Sequence, residues 1–303
     1  MSSISLSIDT ELPEHEDEEP LAKRQCQRIL MPPDNIAVPT TPSSNVAANT
    51  VVTPTNLDDV AKLLMVNMQS KDSKVVYRAF EESAMGCMCD RKDHELALEY
   101  GAIGIILNTM QKWHHHDGIQ QMSHQIFCDI LQEFPRTTAG LFIKLGGVEA
   151  ILSAMNTHMD EYGTLFNGIH ALNALFKVLK EDQQQEILQL VVAKRFVEEM
   201  NGISTVINAL KRRQDEDDVW YDYEDDMRYT HGCISLLLRL YELYQRGSRK
   251  ILRKWKGSAA LVAQAIEDYR DDDDEYDHED ITVIVEEIQR KGMQVLGIIL
   301  AQE

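Results

Sequence analysis

From Asn56 onward the chain repeats one arrangement of apolar and polar positions. A small or turn-forming residue at Asn56, Ala102, Gly147, Gly202 and Gly257 is followed four, five and eight positions later by apolar residues. The sets are Val60, Ala61 and Leu64; Ile106, Leu107 and Met110; Ile151, Leu152 and Met155; Val206, Ile207 and Leu210; and Leu261, Val262 and Ala265. Those offsets share one face of an α-helix. The copies start 46, 45, 55 and 55 residues apart. A helix with a single apolar stripe buries it only against a neighbour, so equal helices at this period predict stacked units sharing one continuous core.

Two further helical patterns accompany each copy. One follows the anchor: Gly168-Ile169 with Ala171 and Leu172, Gly232-Cys233 with Ser235 and Leu236, Gly292-Met293 with Val295 and Leu296, and more loosely Ser123-His124 with Ile126 and Phe127. The other is shorter and precedes the anchor, at 94–100, 138–145, 187–200 and 248–255. In the last two copies the anchor-to-second-helix distance grows from 21 residues to 30 and 35. The added length coincides with two acidic runs, 215–226 and 271–280, which are therefore expected to be loop insertions at one equivalent point. The third copy is lengthened instead around 180–189, after its second helix.

Residues 1–55 differ in kind. They are acidic at first and then rich in Pro, Ser, Thr and Asn, without periodicity, and are expected to form a disordered arm ahead of a repeat domain at 56–303. Within the arm, 23–31 mixes basic and apolar residues, either a docking segment or a plain stretch of solvated tail.

These features meet in a family resemblance. Tyr100-Gly101-Ala102-Ile103-Gly104-Ile105-Ile106-Leu107 and Leu145-Gly146-Gly147-Val148-Glu149-Ala150-Ile151-Leu152 resemble the turn into the second helix of the armadillo repeat. His231-Gly232-Cys233-Ile234-Ser235-Leu236 and Lys291-Gly292-Met293-Gln294-Val295-Leu296 are similar to the start of its third helix. The resemblance covers 56–303 and implies an all-α fold, a right-handed α-solenoid of about five three-helix repeats. It also implies a concave groove for extended peptides, lined by third helices. Peptide-binding members carry an Asn one turn into that helix; Asp129, Ala174, Leu238 and Ile298 stand there in this chain. The preceding positions, Cys128, Asn173, Leu237 and Gly297, lack the family's frequent Trp. Gln125, Asp129, His170 and Asn173 are the groove candidates.

Charge changes the picture more than composition does. The net charge is −20, of which each acidic run holds eight carboxylates, leaving −4 for the rest. An acidic chain is a poor partner for nucleic acid or an anionic membrane. The runs also carry aromatics, Trp220, Tyr221 and Tyr223 in one and Tyr276 in the other. Acids interleaved with rings hold Lys or Arg by ion pairing and cation–π contact. Asp217, Asp218, Trp220, Tyr221, Tyr223, Asp225, Asp272, Asp273, Asp274 and Tyr276 are thus the candidates for gripping a basic protein segment on one edge. The plainer alternative is that the loops only keep the array dissolved, with any partner docking in the groove.

Catalytic signatures are missing. His94-Glu95-Leu96-Ala97-Leu98 places Leu98 where a zinc helix needs its second His. His114, His115 and His116 read as a solvated turn rather than a metal site. The run at 271–280 lacks the Gly and spacing of a calcium loop. Arg246, Arg249, Lys250, Arg253, Lys254 and Lys256 interleave with Ile251, Leu252 and Trp255, as in a short amphipathic helix with a wet basic side. Cys128, Cys233 and Met293 fall on apolar stripes and are expected to be packing residues. The five cysteines form no spaced framework, and the first 20 residues hold seven acids and no Lys or Arg. Reduced thiols and an intracellular setting follow, cytoplasmic with the nucleus also open. The function expected is a non-catalytic protein-interaction module without a cofactor.

Overall fold

The computed structural model describes residues 64–83, 101–181, 186–215, 223–255, 257–269 and 279–301, together with positions 95, 98 and 99. The arm at 1–55 and the middles of both acidic runs lie outside them. Among the described residues all regular structure is helical and no strand occurs.

The helices are α1 (Ser73–Glu82), α2 (Ala102–Lys112), α3 (Asp117–Glu133), α4 (Pro135–Lys144), α5 (Gly147–Thr157), α6 (Tyr162–Glu181), α7 (Glu186–Glu198), α8 (Gly202–Asp215), α9 (Tyr223–Leu243), α10 (Gln245–Lys254), α11 (Ser258–Glu267) and α12 (Glu279–Leu300). Local chemistry sets several starts. Asp72 caps α1 by accepting the Lys74 N–H at 2.9 Å. Pro135 opens α4 at a position where its missing N–H costs nothing.

Packing runs from neighbour to neighbour. The long helices α3, α6, α9 and α12 form one series, each against the next, with α1 on α3. A second series runs α2, α5, α8, α11, and the short α4, α7 and α10 pack against members of both. This helix packing is consistent with a helical repeat. The buried Ile, Leu, Val, Phe and Met residues of both series make a single continuous core.

The turn before each second helix is left-handed. Gly101, Gly146 and Gly257 have φ of 76°, 82° and 90°, and Asn201 takes the same place with φ 58°. That conformation costs glycine nothing and asparagine little. It also corrects the register of the fifth copy. Ala102, Gly147 and Gly202 are first helical residues, whereas Gly257 is the turn residue itself, so the fifth helix opens at Ser258. Ser258, Val262 and Ala265 are then buried in the places of Gly147, Ile151 and Ala154.

Glycine at that first position answers to the short helix before it. A Cβ on Gly147 would overlap the Phe142 ring, and one on Gly202 the Phe196 ring. Those rings also meet Phe127 and Phe176 edge-on, with centroids 4.8 and 5.1 Å apart. In the last unit the smaller Leu252 replaces the ring, leaving room for Ser258, whose hydroxyl donates to the Leu252 carbonyl at 2.9 Å.

A second set of glycines marks close approach of the long helices to their neighbours. A Cβ on Gly168 would stand 2.8 Å from Met155 and 3.2 Å from His124, and one on Gly232 2.9 Å from Ile169. On Gly292 it would meet Ile266 at 2.6 Å. The sequence places these residues at helix starts, but α6, α9 and α12 all begin earlier, because the glycines record approach between helices rather than a turn. The acidic runs likewise are not wholly loop. Asp215 ends α8, residues 223–226 form the first turn of α9, and Glu279 and Asp280 open α12. Carboxylates at a helix start are favoured by its exposed N–H groups and dipole. Cys128 and Cys233 are buried, as packing residues should be, whereas Met293 is 61% exposed because it faces away from α9 and α11. No single helix among the described residues is long and apolar enough to cross a membrane.

Gly202→Ala should lower stability by about 1–3 kcal/mol through overlap with Phe196. Adding Phe196→Leu should cost less than the two single changes together, since the pair then resembles Leu252 and Ser258. Urea denaturation followed by circular dichroism reads both, and an unchanged midpoint for Gly202→Ala contradicts the nesting.

Candidate functional site

The end of the first acidic run is held by a residue that flanks the second. Tyr269, two residues before Asp271, donates its hydroxyl to Asp226 Oδ2 at 2.7 Å and lies 3.4 Å from Thr230 Oγ1. Asp226 closes the first run. The contact follows from stacking, since α11 and α9 both pack against α12. From the other side, the Tyr162 hydroxyl donates to the Asp225 carbonyl at 3.0 Å, and Tyr162 packs at 5.2 Å from the Tyr229 ring. Glu224 pairs with Arg228 one turn on. The Asp225 side is exposed. Of the predicted edge residues, Tyr223 and Asp225 belong to α9. Asp217, Asp218, Trp220, Tyr221, Asp272, Asp273, Asp274 and Tyr276 lie outside the described residues.

The predicted groove residues divide into two pairs. Gln125 and Asp129, on α3, bond to each other, Nε2 to Oδ1 at 3.3 Å. His170 and Asn173, on α6, line a cleft of about 400 Å³ that also touches the end of α3 and the middle of α9. Asn173 is committed to structure: its Nδ2 donates to the Gly232 carbonyl at 2.6 Å. Its Oδ1 and main-chain carbonyl accept from Arg239 Nη1 at 2.9 and 2.8 Å. Arg239 is the residue missed by sequence reasoning. Its signal was a lone cation in the apolar run Leu236 to Leu240, one residue beyond the family's Asn position.

Polar groups fasten the other crossings. Between α3 and α6, His124 is fully buried; its Nδ1 donates to the Thr164 carbonyl at 3.0 Å while Nε2 finds no partner. Burial pulls its pKa down to about 4. His170 is also held at about 4, by burial and then by the fields of His231 and Arg228. Between α9 and α12, His231 Nε2 lies 2.8 Å from Glu287 Oε2 and 2.8 Å from Lys291 Nζ, with Ser235 Oγ at 3.2 Å. Hydrogen bonding from Lys291 is the main reason Glu287 sits at about 2. Cys128 is pushed up to about 12 by burial and by Asp129, which makes its thiol a poor nucleophile.

The remaining candidates are accounted for locally. His114, His115 and His116 occupy the turn between α2 and α3. The His116 ring stacks on Tyr77 at 5.6 Å and caps α3, and the His114 carbonyl meets His158 Nε2 at 2.8 Å. Among the described residues no three His, Cys, Asp or Glu side chains are placed to hold a metal ion. Arg249 of the basic helix α10 bonds to the Tyr241 hydroxyl at 2.6 Å and lies over its ring. A further cleft, of about 650 Å³, opens between α2 and α5 and is lined by Leu107, Gln111, Glu149 and Ser153 among others.

Comparison with protein-family models, with curated proteins and with solved structures gives no match to this chain. The class that the structure itself defines is an all-α protein of serially packed helices.

The buried imidazole sets an acid response. A folded-state pKa of about 4 for His124 lies below the ordinary value of 6.5. Its contribution to stability is therefore full above pH 6.5 and is lost as pH falls toward 4, by about 3 kcal/mol in all. Urea midpoints should fall between about pH 7 and pH 4.5 by more in the parent chain than in His124→Gln; equal losses contradict the assignment.

Proposed function

We propose that this chain is a non-catalytic protein-interaction module, built as a right-handed armadillo-like solenoid, that recruits a basic partner segment through an acidic, aromatic edge. It works inside the cell, in the cytoplasm or nucleus. The observation that supports this reading is the hydrogen bond from Tyr269, two residues before the second acidic run, to Asp226, the last residue of the first. In this reading the sixteen carboxylates of the two runs, with Trp220, Tyr221, Tyr223 and Tyr276 interleaved among them in the sequence, act as one acidic surface. Their mutual repulsion is relieved when Lys or Arg side chains of a partner settle between them. The rings add cation–π contact that simple counter-ions cannot replace.

A second reading has its own support. The cleft at His170 and Asn173 favours a scaffolding or regulatory subunit that docks its partner on the long-helix face, with the acidic runs aiding solubility alone.

A fluorescein-labelled octapeptide of alternating Lys and Ser separates the two. Its affinity should fall about tenfold when residues 216–222 and 271–278 are both replaced by Gly/Ser linkers, and should weaken steeply with added salt. Trp220→Ala combined with Tyr221→Ala keeps the charge and should still weaken binding several-fold, roughly 1 kcal/mol. Binding that ignores the linker replacement sinks the acidic-edge reading.

A further inference from the structure

Arg239 stands in the middle of α9 within an apolar run, and it is half-buried. Among the described residues, both of its hydrogen bonds run from Nη1 to the neutral oxygens of Asn173. Three carboxylates influence it through space, Glu181, Glu242 and Glu287. Two of these are engaged elsewhere: Glu242 with Lys180 at 2.7 Å, and Glu287 with Lys291, Arg290 and His231. Burial nevertheless dominates the environment of Arg239 and draws its pKa downward. Among the described residues no carboxylate stands at hydrogen-bond distance from it, and a guanidinium taken partly out of water in that way is an unfavourable arrangement that a ligand can relieve.

The space beside it is shaped for one. The cleft of about 400 Å³ has Arg239 and Asn173 at one side, Lys177 and Glu181 on the rim, and Leu131 and Pro135 as an apolar wall. Its volume lies in the range of small binding clefts. Among the described lining residues, Arg239 and Lys177 against Glu181 leave a single positive charge. One carboxylate neutralises that, while a phosphate dianion exceeds it and faces Glu181.

We propose that this cleft binds a carboxylate-bearing segment of a partner protein. An Asp or Glu side chain takes the remaining guanidinium donors of Arg239, with Lys177 nearby, and an adjacent apolar side chain packs on Leu131 and Pro135. Arg is suited to this because its planar fork matches a carboxylate. The site uses residues outside both acidic runs and has the opposite charge preference, so it takes a partner segment of the other sign.

The test uses the full chain and a labelled, acetylated and amidated hexapeptide with a central Leu-Glu-Leu, read by fluorescence anisotropy against the same peptide carrying Gln. The Glu peptide should bind about tenfold tighter. Arg239→Gln should erase that preference, Arg239→Lys should keep part of it, and Glu181→Gln, at an exposed position, should strengthen binding about two- to fivefold. Replacing both acidic segments by linkers should leave the preference intact, which separates this site from the acidic edge. Equal binding of the two peptides overturns the proposal, as does an unchanged affinity in Glu181→Gln. Displacement of the peptide by inorganic phosphate at lower concentration than by acetate also overturns it, since the site would then be a phosphate site.

Discussion

The close packing of each long helix on its neighbours is the constraint on which the rest of the structure depends. Helices separated by ordinary side chains pack 8–10 Å apart, and a residue without a side chain at the contact lets them sink closer. Gly168, Gly232 and Gly292 hold those contacts, where Ile169 of the preceding long helix fills the space beside Gly232, and Met155 of α5 and Ile266 of α11 fill the space beside the other two. Nearer approach brings backbone carbonyls within reach of the neighbouring helix's polar groups. His124 thereby reaches the Thr164 carbonyl, and Asn173 the Gly232 carbonyl.

Each crossing is fastened differently, and the chemistry grows more ionic along the chain. Between α3 and α6 the link is a neutral imidazole; between α6 and α9 it is an amide held by a guanidinium. Between α9 and α12 it is an ammonium, a carboxylate and an imidazole together. Buried polar groups of this kind stabilise little on balance but penalise wrong registers heavily, because a slipped helix leaves them unpaired. The repeated apolar stripe alone would tolerate such a slip by one turn. The polar groups distinguish crossings that hydrophobic contact treats alike.

Much of this was legible in the sequence. Offsets of four, five and eight gave the second helices α2, α5, α8 and α11, with 56–63 of the first copy outside the described residues, and Gly101 and Gly146 gave two of the turns. The fifth register was harder, since Gly257 is both a small residue and the left-handed one, and only the nesting of Ser258 over Leu252 tells which role it plays. The glycines inside the long helices read as starts because a glycine demanded by a neighbour looks the same in one dimension as a glycine demanded by a turn. Arg239 was hidden for a related reason. Its meaning comes from Asn173, 66 residues away, and from the absence of a nearby unpaired carboxylate among the described residues, neither of which leaves a local pattern.

The bonds across the long helices join residues 40 to 66 apart, a distance of one unit. During synthesis a long helix therefore waits for some tens of residues before its glycine-bearing neighbour arrives, and until then its apolar stripe stands open. Structure is completed in the order in which it is made, each unit finished by the one that follows. The growing chain passes through a series of half-closed states whose exposed surface is never much more than one helix wide.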